Sequence, residues 1–506
     1  MSGVVANRVR QGFYLDSVAL MRIAAQVEAL DGVENAALMI GTPANMEILA
    51  AAGLLAEGSR EATPRDLIIA VRAAEEEALE TALGQAETLL LRPRGENRPG
   101  AAGAQWRPKT LRGAARRMEG ANLALISVPG AFAAAEAHRA LREGLHVLLF
   151  SDNVSLEEEL ALKTEARERG LLVMGPDCGT AIIGGVPLAF ANVVPRGNVG
   201  IVSASGTGLQ EVSSIIARLG GGVSHGIGTG GRDLSDAVGG LTTFAAIDAL
   251  EADPATTHIV LLSKPLSPKV AARVLERVAN GTKPFTICFL GLDLSDLAVN
   301  IPSNAALAAT LQEAAERPLG ASLLQHEPPP PAVPARPGGV RGLFAGGTLC
   351  AEAQAILLKG GKQVYSNAPI PGARPASGSN GAAHLLLDLG ADEFTVGHPH
   401  PMMEPGPRNK MVTETLREKD VAVVLLDVVL GHGAHEDPAA GLALAVAETA
   451  AFGPDRPHVV ASVCGTEGDP QGRAAQVEKL REAGVVVAPS NAAAAVLALQ
   501  IAGGNR

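Results

Sequence analysis

Short apolar runs alternate along the chain with longer stretches of helical periodicity, the pattern that predicts βαβ units and a parallel sheet. A first run at 36–40 is followed by Gly41-Thr42-Pro43-Ala44-Asn45, which leads into a helix predicted to about Leu55. Residues 92–108, rich in Arg, Gly and Pro, read as a linker or loop. Further strands are predicted at 123–128, 146–150 and 171–174, joined by helices over 131–143 and 156–169. A second set begins after Pro195, with strands at 199–203, 258–263 and 284–290 and a helix reaching about Leu219. Residues 326–339 (HEPPPPAVPARPGG) are too dense in proline for a helix or central strand and read as a semi-rigid spacer. Strands at 340–344, 421–427, 459–463 and 485–488 make a third set.

The expected organisation is therefore an α/β region over 1–195, a second α/β domain over 196–325, the spacer, and a third domain over 340–506. A chain of 506 residues has room for several domains at about 100–200 residues each. Aromatic residues are only 3%, so the cores must be built from Val, Leu, Ile and Ala, which suits helices packed on parallel strands. A net charge of −11 with no basic run argues against nucleic acid or an anionic membrane as partner. Cys178, Cys288, Cys350 and Cys464 are scattered, with no CxxC, so neither a zinc site nor a disulfide framework is expected and no metal is assigned. No apolar run reaches the length of a membrane span, and the N-terminus lacks the pattern of a signal peptide. A cytoplasmic location is expected.

Three segments stand out as chemistry. In GIVSASGTGLQE (200–211) an apolar strand runs through Ser205, Gly206 and Thr207 directly into a helix. Free N–H groups and the helix dipole make such a turn an anion site, and the same turn is also an ordinary serine-capped connection. In LDVVLGHGAH (426–435), Gly431, His432 and Gly433 follow an apolar strand and precede an Ala-rich helix; Asp427 inside that strand needs a partner to be buried. In GHPHPMM (397–403), prolines fix the directions of His398 and His400; one imidazole beside a phosphate, or a rigid loop with a capping histidine, both suit it. Lesser candidates at strand ends are Gly175 and Asp177, Ser151-Asp152-Asn153, and Arg232, which suits an anion or a neighbouring aspartate.

The segments GPDCGTAIIGG (175–185), GIVSASGTGLQE, GIGTGGRDLS (226–235) and DPATTHIVLLSKP (253–265) resemble, in order and spacing, the α subunit of succinyl-CoA synthetase. GLFAGGTLCAEA (342–353), LDLGADEFTVG (387–397) and residues 421–445 resemble the C-terminal domain of its β subunit. With MIGTPAN (39–45), SDNVSLEEE (151–159) and GHPHPM (397–402), the chain resembles the FdrA family along nearly its whole length. The resemblance implies Rossmann-like and flavodoxin-like domains and a phosphate between two helix N-termini, carried over to Ser205-Gly206-Thr207 and Gly431-His432-Gly433. The segment matching the phosphohistidine loop reads GLDLSDLAVN (291–300), without histidine, and no ATP-grasp domain is present. The CoA-binding turn of the synthetase would fall to Gly41 and Thr42, with Ser151, Asp152 and Asn153 beside the cofactor.

For activity, the FdrA resemblance implies one subunit of a hetero-oligomeric oxamate carbamoyltransferase of allantoin catabolism, handling oxalurate, phosphate and carbamoyl phosphate. His400, Ser205 and Thr207 would then be catalytic, and Gly175, Asp177, Arg232, His398 and Met402 would line the substrate. An acyl-CoA ligase, or a scaffold binding CoA or phosphate without catalysis, are the alternatives.

Overall fold

A computed structural model describes residues 3–13, 15, 17–91, 108–292, 300–327, 330–379, 384–395, 399–449, 453 and 456–503. They form two compact units: residues 1–119 with 127–132 and 392–399, and residues 120–126, 133–391 and 400–506.

The first unit holds a three-stranded sheet of β1 (Val4–Arg10), β2 (Val33–Ile40) and β3 (Leu67–Ala73) in the order β1-β3-β2. Both pairings are antiparallel, unlike the parallel arrangement expected here. In β1, Asn7, Arg8 and Arg10 interrupt the valines, so that strand is no apolar run, whereas β3 (Leu-Ile-Ile-Ala-Val at 67–71) is one and is nevertheless absent from the predicted strands. Leu67, Ile69 and Val71 face the helices Ser17–Glu28 and Glu76–Leu91, while Ile68 and Ala70 pack with Leu49 and Leu54. The central strand is thus buried on both faces. Residues 92–107 lie outside the described residues.

The second unit opens with a parallel sheet of β4 (Leu123–Ile126), β5 (His146–Leu149) and β6 (Val173–Met174). Helix Leu156–Glu168 starts with a capping box, Ser155 and Glu158 satisfying each other's backbone N–H. Next comes a seven-stranded sheet of β7 (Thr180–Ile183), β8 (Val186–Ala189), β9 (Arg196–Ser203), β10 (Val223–Gly228), β11 (His258–Ser263), β12 (Phe285–Phe289) and β13 (Ala305–Leu307). Its order is β13-β12-β11-β9-β10-β7-β8, parallel except for the β7–β8 hairpin at one edge. Residues 330–338 carry no regular structure and lead into a second seven-stranded sheet. Its strands are β14 (Gly339–Phe344), β15 (Val364–Ser366), β16 (Arg374–Pro375), β17 (His384–Asp388), β18 (Val421–Val429), β19 (His458–Cys464) and β20 (Val486–Ala488). All are parallel, in the order β16-β15-β17-β14-β18-β19-β20.

Two consequences position the site. The chain leaves β9 toward one side of its sheet and returns on the other, and it does the same at β14, so each is the strand at which the winding reverses. The carboxyl end of such a strand is where open α/β sheets leave room for a ligand. The helices that follow them, Gly206–Arg218 and Gly347–Lys359, share one continuous core, in which Leu209, Val212 and Ile216 pack with Leu349, Ala353 and Leu357. Among the described residues, no helix is long and apolar enough to cross a membrane.

Candidate functional site

Ser205 caps helix Gly206–Arg218, its Oγ accepting from Gly208 N at 2.9 Å. Ser203 Oγ accepts from Ser205 N at 3.1 Å and fixes the turn. The Ser205 hydroxyl is also hydrogen-bonded to that of Thr348, in the first turn of helix Gly347–Lys359, and Thr207 Oγ1 accepts from Thr348 N at 3.4 Å. Two helix starts, one from each seven-stranded sheet, therefore meet through three hydroxyls. The N–H groups of Gly206, Thr207 and Gly347 take no acceptor among the described residues, leaving the donors that a helix start offers to an anion.

The turn before the second helix is pinned from below. Asp427, fully buried in β18, accepts from Ala345 N at 2.8 Å and Gly346 N at 2.6 Å. Arg408 Nη1, also buried, donates to Asp427 Oδ1 at 3.1 Å and to its carbonyl at 2.8 Å. Burial raises the Asp427 carboxyl and lowers the Arg408 guanidinium from their ordinary values, each against the pull of the other. A Cβ on Gly347 would run into the Asp388 carboxylate and lie 3.0 Å from Lys264 Nζ, so any larger residue there would have to push those side chains aside. Lys264, just past β11, and Asp388, at the end of β17, thus flank the second helix start.

The second helix start differs from the expected one. The Gly431 loop is followed by a helix only at Pro438, and the N–H groups of Gly431 and His432 are already engaged. Gly431 N donates to Gln471 Oε1 at 3.1 Å and His432 N to Ala191 O at 3.0 Å, while a Cβ on Gly433 would strike the Phe190 ring. The loop still borders the first helix, since Gln210 Nε2 donates to Leu430 O at 3.3 Å. Strand-Gly-Gly-Thr-helix at 344–348 was the legible signal for the start that does meet Ser205, and it repeats the logic of Ser-Gly-Thr-Gly at 205–208.

His400 is half-buried, and its Nδ1 accepts from Met402 N at 3.2 Å, which puts the ring proton on Nε2. Burial and then the nearby Arg408 lower its pKa to about 4, so at neutral pH it is an uncharged N–H donor. Its Nε2 lies 2.5 Å from where a Cβ of Gly390 would stand, two residues past Asp388. Met402 O accepts from His435 N at 2.8 Å, tying this segment to the Gly431 loop. His398 lies outside the described residues.

The remaining candidates sit elsewhere. Arg232 is bonded to Val154 O at 2.8 Å and paired with Glu159 at 2.9 Å, an edge of the buried Glu159–Lys163–Asp233 network. Gly175 packs against Leu149 O, and Asp177 N donates to Ser151 O at 3.1 Å, holding the ends of β5 and β6 together. Ser151 is buried, Asp152 is exposed and Asn153 is left-handed, with φ 53°. Thr42 caps helix Pro43–Ala51 and Gly41 N donates to Asp66 O at 2.8 Å, both within the antiparallel first unit. Burial holds the Cys178 thiol up at about 12 and raises the other three as well, so none is a ready nucleophile.

Residues 195–291 match the family of the CoA binding domain, 343–501 that of CoA-ligase, and 1–107 one described as AllF, heavy metal-associated domain. Together with the parallel sheets these define a succinyl-CoA ligase-like protein carrying an N-terminal AllF-type domain. The chain is 41% identical over 508 residues to Uncharacterized protein YahF of Escherichia coli (strain K12), covering 97% of each, and it belongs to that protein's family. It is 30% identical over 181 residues to the ADP-forming sulfoacetate-CoA ligase subunit SauD of Bilophila wadsworthia, covering 34% of this chain and 59% of that one. The ADP-forming succinate–CoA ligase subunit alpha 2 of Archaeoglobus fulgidus is 30% identical over 28% of this chain and 50% of its own length. The apo dinucleotide-forming acetyl-coenzyme A synthetase 1 of Ca. Korarchaeum cryptofilum aligns over 75% of this chain and 83% of its own, at 17% identity and a TM-score of 0.31.

Proposed function

We propose that this chain is the phosphate-holding subunit of a carbamoyl- or acyl-transferring enzyme, with oxalurate as the donor. The observation that carries the reading is the meeting of two helix starts at Ser205 and Thr348, which leaves the N–H groups of Gly206, Thr207 and Gly347 without protein acceptors. Such a cradle suits a phosphate dianion better than a phosphorylated side chain, since residues 291–300 contain no histidine. Lys264 beside Gly347 adds a positive charge on the same edge.

In the proposed reaction a phosphate oxygen attacks the carbamoyl carbon of oxalurate. The carbon–nitrogen bond to the oxamate amide breaks, that nitrogen takes the proton of hydrogen phosphate, and carbamoyl phosphate and oxamate result. The two helix starts hold the phosphate in place, and the Nε2–H of His400 is the proposed donor to the carbonyl or carboxylate of oxalurate. Met402 and the Gly431-His432-Gly433 loop form the proposed wall on the donor side, in a hetero-oligomer whose other subunits complete the enzyme. The matches to CoA-ligase domains favour, as a second reading, an acyl-CoA ligase that uses acyl phosphate.

The test is product analysis of the chain purified with its co-expressed partners and supplied with oxalurate and phosphate. Carbamoyl phosphate and oxamate in equal amounts are expected, and Gly206→Val should abolish them while the protein stays folded. A complex that makes acyl-CoA from acyl phosphate but no carbamoyl phosphate would replace this reading by the second.

A further inference from the structure

The family matched by residues 1–107 is described as heavy metal-associated, so the domain's donor atoms need to be compared with what such an ion requires. Thiophilic ions are held by thiolate and imidazole, and Cu⁺ also by thioether; the thioethers of Met39 and Met46 are packed instead into the apolar cluster of Leu49, Leu54 and Ile68. Residues 1–107 contain neither cysteine nor histidine; the first of either along the chain is His138. Among the described residues, no group of three or more His, Cys, Asp and Glu side chains comes together. The residues present do not fit the ion.

What fastens the loops of this domain is instead a carboxylate. Past β1, Gly12 N donates to Asp66 Oδ1 at 3.1 Å. Just before β3, Thr63 donates to Asp66 Oδ2 from its N at 2.9 Å and from its Oγ1 at 2.7 Å. Those donors, the Thr63 N–H first, hold the Asp66 carboxyl below the usual carboxylate range. Arg10 stacks on the Phe13 ring, 4.9 Å from its centroid, closing the same loop from the other end. The apolar core of Leu20, Ile23, Val27, Leu38, Ile69 and Leu83 supplies the remaining cohesion.

We infer that the N-terminal domain has the fold of a heavy metal-associated domain but no metal, and that Asp66 pins the β1 exit loop to the β3 entry by hydrogen bonds. The test is hydrogen exchange read by mass spectrometry on the full chain, alone and with one equivalent of Zn²⁺ or of Cu⁺. Exchange in peptides from residues 3–91 should be the same in all three samples; protection in that range on adding either ion overturns the metal-free assignment. In Asp66→Ala, exchange at residues 12–15 and 63–65 should rise about tenfold or more, the size of losing a hydrogen bond to a charged acceptor. Exchange in helix Glu76–Leu91 should be unchanged. Unaltered exchange at both loops in that variant would overturn the role given to Asp66.

Discussion

Breaking the Asp427–Arg408 pair should cost far more than removing it. In Asp427→Ala, the N–H groups of Ala345 and Gly346 lose their acceptor, and Arg408 is left charged at 3% exposure. A buried pair broken on one side costs about 3–5 kcal/mol, and each orphaned donor about 1–3 kcal/mol, with overlap between these figures. Against a domain stability of about 5–15 kcal/mol, a loss near 4–6 kcal/mol is a large part of the whole. Replacing both partners by apolar residues of similar volume, Asp427→Leu with Arg408→Met, removes two desolvated charges at once. That variant should recover roughly 2 kcal/mol or more of the loss, because burial works against both ions in the native protein. It should nevertheless bind phosphate poorly, since the turn leading to Gly347 and Thr348 is no longer held. Denaturant unfolding of the wild type, both single variants and the double variant gives the coupling energy, and calorimetric titration with inorganic phosphate gives the binding. A single variant that loses under 1 kcal/mol, or a double variant that binds phosphate like the wild type, would refute the clamp.

Three further outcomes are expected. Lys264→Met should weaken phosphate binding about tenfold and Lys264→Arg much less, the scale of one charge-assisted hydrogen bond, as read by the same titration; equal affinities would remove Lys264 from the site. His400→Ala should lower turnover of the assembled complex by roughly 100- to 1,000-fold, and because its pKa lies near 4 the wild-type profile should show no His400 inflection between pH 5 and 8. Glu352, buried where it accepts from Leu311 N at 2.6 Å and Asn491 Nδ2 at 2.7 Å, has its pKa raised to about 7 by burial, with Glu211 nearby. A raised carboxyl makes the folded state hold its proton longer than the unfolded state. Stability should therefore fall by up to about 3 kcal/mol as pH rises from 4.5 to 7, and unfolding of Glu352→Gln should show that slope reduced.

Much of the second unit was legible because its strands are continuous apolar runs ended by Gly, Ser or Pro. The strand expected at 258–263 appears as His258–Ser263, and that at 421–427 continues only to Val429. Short strands such as β15 and the edge strand β16, and the β7–β8 hairpin, have too few apolar residues to register as runs. The Ser205 turn was readable from composition alone, but its counterpart required knowing which helix packs on which. Gly431 and Gly346 both follow apolar strands, and only the shared core of helices Gly206–Arg218 and Gly347–Lys359 decides between them. Asp427 advertised a need for partners without naming them, because Arg408 lies 19 residues away on another element. Lys264 carried no local signal beyond its place at a strand end before a proline.

The hydroxyl contact between Ser205 and Thr348 joins two sheets that a single polypeptide carries 143 residues apart. Had each sheet been a separate molecule, the fraction of assembled cradles would fall on dilution, as for any bimolecular association. A covalent tether replaces that by an effective concentration of roughly millimolar or higher, independent of how much protein is present. The stoichiometry of the two halves is fixed at synthesis, and neither can be titrated away by an excess of the other. Whatever further subunits join it, this portion of the anion cradle should arrive already built, and its affinity for phosphate should be the same at nanomolar as at micromolar protein.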